Sequence, residues 1–111
     1  MNISLEYLYR DAGNNKIWGN VVFSNRSNIG ATSLHADMRN ALIDGEFFIA
    51  EEVFIPSLCF DVHDNELDHG WHEYSSVKET SEPSNDGLKR DIGELVSALT
   101  LSKMRNFSLC L

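Results

Sequence analysis

The stretch that decides the fold runs from Asn2 to Ser24 and reads NISLEYLYRDAGNNKIWGNVVFS. Apolar side chains alternate with polar ones over residues 2–9 and again over residues 16–24, which is the period of two that a β-strand requires. Between these runs, residues 11–15 are Asp, Ala, Gly, Asn and Asn, a composition typical of a turn. The pattern therefore predicts an N-terminal β-hairpin.

Two amphipathic helices are predicted further along the chain. The first begins at a capping Thr32 or Ser33 and ends at Asp44-Gly45, where Gly45 suits the left-handed position after a helix. The second spans residues 91–104. Their buried stripes are formed by Leu34, Met38, Ala41 and Leu42 in the first helix, and by Ile92, Leu95, Val96 and Leu99 in the second.

Short strands are expected between and after these elements. Residues 47–49 form an apolar patch that suits an edge strand. Residues 58–62 and 71–78 alternate in polarity, which predicts a second hairpin with the acidic loop 63–70 at its tip, and Pro56 should lie at the start of a strand or outside it. On the second of these strands, Trp71, Glu73, Ser75 and Val77 should share one face, and His72, Tyr74 and Ser76 the other.

The order of these elements predicts an α+β two-layer sandwich, in which an antiparallel sheet of four to five strands carries two helices on one face. A length of 111 residues suits a single domain spanning residues 1–111. The polar segment 79–87 is predicted to be a mobile linker, and for the tail 105–111 two alternatives are open, packing or fraying.

The formal charge of −8 comes from one third of the chain. Residues 40–77 contain no Lys or Arg but carry nine carboxylates, whereas the other 73 residues hold nine basic and eight acidic side chains. We call residues 40–77 the acidic third. A surface of one sign repels nucleic acid and anionic lipid and attracts cationic partners, so binding to nucleic acid or to a membrane surface is disfavoured.

The chain shows no signal peptide and no apolar run long enough to span a membrane. Its two cysteines, Cys59 and Cys110, fit a reduced compartment better than a disulfide framework. A cytoplasmic location is therefore expected.

Residues 61–74 combine three histidines with five carboxylates, which are ligands that zinc, manganese or nickel accept. The pair His69 and His72 converges on one metal only if the segment is helical, and Gly70-Trp71 favours a turn into a strand instead. The spacing matches no established metal motif. A solvated acidic loop is therefore the preferred interpretation, with no metal, cofactor or catalytic residue predicted and a small metal-dependent enzyme as an alternative.

Three segments of the sequence resemble a family of short, uncharacterised bacterial proteins. They are Leu5–Asn14 (LEYLYRDAGN), Ala41–Phe48 (ALIDGEFF) and Leu67–Tyr74 (LDHGWHEY). The resemblance covers about the first 80 residues and is weakest at the C-terminal end. It implies a cytosolic bacterial protein and assigns no catalytic residue, because the family carries no established activity.

These observations predict a small protein-binding module, most simply an immunity protein or antitoxin that occupies the basic cleft of a nuclease-type toxin. Acidic groups steer association with such a cleft, and large aromatic residues are frequent interface anchors, although in a small domain they are also frequent core residues. The predicted partner contacts are Asp61, Asp64, Glu66, Asp68, Trp71, Glu73 and Tyr74. A homo-oligomeric regulatory or housekeeping domain is the alternative without a cationic partner, and the oligomeric state is left open.

Overall fold

The computed structural model describes residues 1–11, 13–58 and 71–109 of the chain. Within these ranges, four antiparallel strands form one sheet in the order β2-β1-β4-β3, accompanied by two α-helices. The predicted α+β class is confirmed. The elements are β1 (Asn2–Arg10), β2 (Lys16–Phe23), α1 (Ala31–Ala41), β3 (Phe47–Ile49), a one-turn 3-10 helix (Ala50–Val53), β4 (Trp71–Thr80) and α2 (Ile92–Leu109).

Strand β1 organises the core because it pairs with β2 on one side and with β4 on the other. Leu5, for example, lies opposite Val21 and opposite Val77. The inward side chains of β1 are fully buried and share a single hydrophobic cluster with residues of both helices, such as Leu34 and Leu95. The predicted N-terminal hairpin is therefore confirmed, and it supplies half of the sheet.

A β-bulge in β4 changes which side chains face the core. Glu6 lies opposite Ser76 and Tyr7 lies opposite Tyr74, so Ser75 has no partner of its own on β1. An extra residue reverses the alternation of faces along a strand, and His72, Tyr74 and Val77 are consequently all buried. The prediction that Val77 lies on the opposite face from His72 and Tyr74 was wrong for this reason.

The segment between β3 and β4 is described only as far as Leu58. Pro56 lies outside any strand, as predicted, and its carbonyl accepts a hydrogen bond of 2.7 Å from the Tyr7 hydroxyl. Burial raises the pKa of Tyr7 to about 12. Leu58 is not part of a strand, and residues 59–62 of the predicted strand lie outside the described residues, as does the acidic loop 63–70. The described strand partners of β4 are β1 and β3.

Helix α1 begins and ends earlier than its sequence predicts. Its N-cap is Gly30, which makes no side-chain capping bond, so neither Thr32 nor Ser33 caps it. The helix stops at Ala41, and Leu42 is already extended. Gly45 does take the predicted left-handed conformation (φ 73°), but in the turn that leads into β3 rather than at the helix end.

Helix α2 continues past the predicted end at residue 104 and reaches Leu109. Its first turn is secured by a reciprocal cap: the Asp91 carboxylate accepts the Gly93 N–H, and the Glu94 carboxylate accepts the Asp91 N–H. This cap offsets the helix-breaking tendency of Gly93. Residues 105–109 of the C-terminal tail are helical, and residues 110–111 lie outside the described part of the chain.

The segment predicted as a linker is attached to the outer edge of β2. Asn85 donates its N–H to the Val22 carbonyl (2.9 Å), and its side-chain oxygen accepts the Val22 N–H (2.8 Å). Further along, Ile92 donates its N–H to the Ser24 carbonyl. These contacts satisfy backbone groups that an edge strand would otherwise expose. The mobility predicted for residues 79–87 stays a prediction.

Gly19 provides a test of the packing beneath the hairpin. A Cβ at this position would lie 3.0 Å from Leu58 Cδ2 and 3.2 Å from Tyr7 Cζ. We expect Gly19→Val to lower the free energy of unfolding by about 1–3 kcal/mol, because overpacking displaces both neighbours. Urea denaturation measures this change.

Gly87→Ala is the matched control, since a Cβ there meets nothing within 4 Å. Its stability should equal or slightly exceed that of the parent. Equal stability of the Gly19→Val and Gly87→Ala variants would contradict the described packing of Leu58 on the hairpin.

Candidate functional site

The structure describes five of the nine carboxylates in the acidic third: Asp44, Glu46, Glu51, Glu52 and Glu73. Four of the predicted partner contacts, Asp61, Asp64, Glu66 and Asp68, lie outside the described residues. Asp44, Glu46 and Glu51 are exposed, and among the residues described none of them forms an ion pair. Asp44 and Glu51 therefore contribute negative surface charge, whereas Glu46 lines a cleft together with Arg10 and Arg39.

Two other acidic groups are partly neutralised by arginines from outside the acidic third. Glu73 lies 3.1 Å from Arg10, whose guanidinium contacts both carboxylate oxygens, and Glu52 lies 3.8 Å from Arg105. Ser102 and Asn106 also donate hydrogen bonds to Glu52, which ties the 3-10 helix to α2. Glu73 was predicted as a partner contact, and its pairing with Arg10 reduces the charge that it offers to a partner.

The two predicted aromatic contacts have different environments. Trp71 is 37% exposed, and its ring lies 5.7 Å from that of Phe47. Tyr74 is only 8% exposed, and its hydroxyl is hydrogen-bonded to Nδ1 of His35 at 2.7 Å. Burial raises the pKa of Tyr74. Trp71 therefore exposes part of its ring to solvent, whereas Tyr74 belongs to the hydrophobic core.

His72 is buried among aromatic rings and not available as a surface metal ligand. Its Nε2 atom accepts a hydrogen bond of 2.9 Å from the Leu58 N–H, so the neutral ring carries its proton on Nδ1. The rings of Tyr7, Tyr9 and Phe48 lie within about 6 Å of it. No group of three or more metal-ligating side chains occurs within residues 1–11, 13–58 and 71–109, and His63 and His69 fall outside those ranges.

An exposed aromatic residue that the sequence reasoning missed lies at the end of the 3-10 helix. Phe54 is 68% exposed and has a left-handed backbone (φ 57°, ψ 42°). A bulky residue rarely adopts this conformation, which costs roughly 1–3 kcal/mol. The only sequence signal was an aromatic residue two positions after Glu52 and two positions before Pro56.

A buried arginine holds Phe54 in place. The Arg90 guanidinium donates to the carbonyl oxygens of Val53 (2.7 Å) and Phe54 (3.2 Å). It also donates to both carboxylate oxygens of Asp86, each at 2.9 Å, and lies 5.6 Å from the centre of the Phe23 ring. We call this group of contacts the Arg90 clamp. It joins the turn 86–89 to the end of the 3-10 helix.

Asp86 stays ionised inside this clamp. Burial, the largest single effect, raises the pKa of its carboxyl, but hydrogen bonds and charge attraction from Arg90 outweigh that effect. The pKa of Asp86 is therefore lower than its ordinary value of 3.8. Both side chains are almost fully buried, so neither charge has water as an alternative partner.

A shallow polar cleft of about 230 Å³ opens beside Tyr74. It is lined by Arg10, Arg39, Glu46, Glu73 and Tyr74. The two arginines and two glutamates cancel in formal charge, and one of each is already paired. The cleft has room for a small polar molecule, and the Tyr74 hydroxyl at its edge is hydrogen-bonded to His35.

Comparisons with protein-family models, with curated proteins and with solved structures find no match. The resemblance of three segments to short bacterial proteins stays a prediction. No helix in the described part of the chain is both long and apolar enough to cross a membrane. Function is therefore inferred from the chemistry of the residues above.

The Arg90 clamp predicts a specific dependence of stability on pH. The pKa of Asp86 in the folded protein lies below its unfolded value of 3.8. The ionised carboxylate therefore contributes its full stabilisation above pH 3.8, and this stabilisation is lost as the pH falls through the folded pKa. We expect Asp86→Asn to destabilise the protein by about 3 kcal/mol at pH 7, because it leaves a buried guanidinium without its counter-charge. The difference from the parent should shrink as the pH falls from 4 to 2.

Chemical denaturation at several pH values measures this difference. Asp37→Asn is the control, since Asp37 is exposed and forms no ion pair among the residues described. Its curve should follow that of the parent. A gap between parent and Asp86→Asn that stays constant from pH 7 to pH 2 would show that folding does not lower the pKa of Asp86, and would contradict the clamp.

Proposed function

We propose that this chain is a cytosolic protein-binding module that captures a basic protein, as an immunity protein or antitoxin captures a nuclease-type toxin. The observation that carries the proposal is the charge of the acidic third, with nine carboxylates and no basic residue in residues 40–77. Asp44 and Glu51 support it, because each is exposed without an ion-pair partner among the described residues.

The physical reason is electrostatic complementarity. A cleft built to bind phosphates presents Lys and Arg side chains, and a protein surface of pooled carboxylates is attracted to it over a distance of about 10 Å at moderate salt. Such attraction increases the association rate and disfavours wrong partners more than it adds affinity. Affinity requires apolar anchors as well, and Trp71 is an exposed aromatic residue at one boundary of the acidic loop.

Self-association is the second candidate, and one observation favours it. Leu101 and Met104 are exposed on α2 and lie three residues apart, which places them on the same side of the helix. A formal charge of −8 on each copy opposes such an interface unless the acidic thirds point apart. Light scattering at low and high salt distinguishes the two candidates.

The decisive variant reverses the charge of the acidic loop. We expect Asp64→Lys combined with Glu66→Lys and Asp68→Lys to abolish capture of the basic partner from a lysate of the source organism, and to leave the melting temperature unchanged. Capture by the parent chain should weaken by at least tenfold between 50 mM and 500 mM salt, because screening shortens the range of the attraction. Mass spectrometry identifies the captured protein.

A matched control carries the same change in charge elsewhere. Asp37, Glu79 and Glu82 are exposed, lie outside the acidic third and make no side-chain ion pair within the described ranges. Reversing these three to Lys should preserve capture. Equal capture by the loop variant and the control, or a captured protein that is not basic, would refute the proposal.

A further inference from the structure

We propose that Phe54, together with Leu88, is the apolar anchor through which this chain contacts its basic partner. This inference rests on the proposed function and names a contact surface for it. We call the three exposed residues Glu51, Phe54 and Leu88, whose segments the Arg90 clamp joins, the Phe54 patch. It lies away from the predicted contacts Trp71 and Tyr74 along the chain and is fully within the described residues.

The conformation of Phe54 is the first argument. A residue with a large side chain and a positive φ is an outlier that persists only where surrounding contacts impose it. Two contacts impose it here: the Ile55 N–H donates to the Ala50 carbonyl (3.0 Å), and Arg90 donates to the carbonyl of Phe54 itself. The fold therefore holds an aromatic ring in solvent at an energetic cost, with 68% of its surface exposed.

The position of Leu88 is the second argument. It lies in the turn closed by the hydrogen bond from the Lys89 N–H to the Asp86 carbonyl, and it is 55% exposed. Asp86 binds the same guanidinium that binds the carbonyls of Val53 and Phe54. The Arg90 clamp therefore places two exposed apolar side chains on adjoining segments, and apolar anchors held by a rigid scaffold lose little entropy on binding.

The negative charge near Phe54 in sequence indicates which kind of partner binds the Phe54 patch. Phe54 belongs to the acidic third and follows Glu51 and Glu52, of which Glu51 is exposed and unpaired within the described ranges. Lys89 follows Leu88 in sequence and forms no ion pair with these carboxylates among the residues described. An aromatic anchor bordered by carboxylates fits a protein surface that carries Lys or Arg around an apolar recess. A second copy of this chain fits less well, because it would bring another negatively charged patch into contact.

Photo-crosslinking tests the patch directly. Phe54 is replaced by p-benzoylphenylalanine in the full chain, which is then irradiated in a lysate of the source organism. Trp18 receives the same replacement as a control, since it is 55% exposed but lies on β2, outside the acidic third. We expect an adduct with a basic protein from position 54 and none with that protein from position 18.

A second variant separates binding from folding. Asn tolerates a left-handed backbone better than Phe does, so Phe54→Asn should melt at the same temperature as the parent or a few degrees higher. It should nevertheless capture the basic protein at least tenfold more weakly. Equally tight capture by this variant would overturn the proposal.

The outcomes distinguish the patch from the function that it serves. An adduct of position 54 with a second copy of the chain would overturn the proposal in favour of self-association. No adduct from position 54, while the parent still captures a basic protein in a salt-sensitive way, would overturn the patch and leave the proposed function standing. Loss of both the adduct and salt-sensitive capture would refute the two proposals together.

Discussion

The guanidinium of Arg90 is the constraint on which the arrangement of the surface depends. It is buried, so its donors require protein acceptors, and Asp86, Val53 and Phe54 accept four hydrogen bonds from it. A buried ion pair does not by itself stabilise a fold more than apolar packing would, but removal of one partner is strongly destabilising. The clamp thus fixes how the segment before α2 meets the 3-10 helix, and that junction positions Phe54.

The sheet supplies the rigid frame around this junction. β1 lies between β2 and β4, and its inward side chains meet residues of both helices in one cluster. The segment 85–92 covers part of the β2 edge through Val22 and Ser24, and it delivers Asp86 and Arg90 to the clamp. The same run of backbone therefore protects a sheet edge and secures the surface that we assign to a partner.

The strands and helices whose apolar residues recur at regular spacing were predictable from the sequence. Features that depend on tertiary contacts were not. Alternation over residues 2–24 identified the hairpin, and the stripes of Leu34 and Leu95 identified the helices, because each local pattern agrees with the final packing. The bulge at Ser75 has no such signature, which explains why Val77 was assigned to the wrong face. From the sequence alone, Arg90 resembles an ordinary surface arginine. The carbonyl groups that accept its hydrogen bonds lie 36 or more residues away in the chain, so no local pattern reveals its burial.

The candidate site was predictable only in its charge. The concentration of carboxylates in residues 40–77 is visible without a structure, and Asp44, Glu46 and Glu51 are exposed as that distribution suggested. The aromatic residues were harder to assign, because exposure depends on the register of each strand and on the local backbone angles. In the structure Trp71 and Phe54 are exposed aromatic residues, and Tyr74 belongs to the core.

The central claim is that the acidic third is a binding surface and not merely a solubilising one. Hydrogen exchange followed by mass spectrometry, with the chain free and then saturated with the basic protein that it captures, tests this claim most directly. The account predicts that amides within residues 44–54 and 61–73 exchange at least tenfold more slowly in the complex, while those of α2 near Leu101 and Met104 do not change. Protection confined to α2, with the acidic third exchanging as in the free chain, would contradict it.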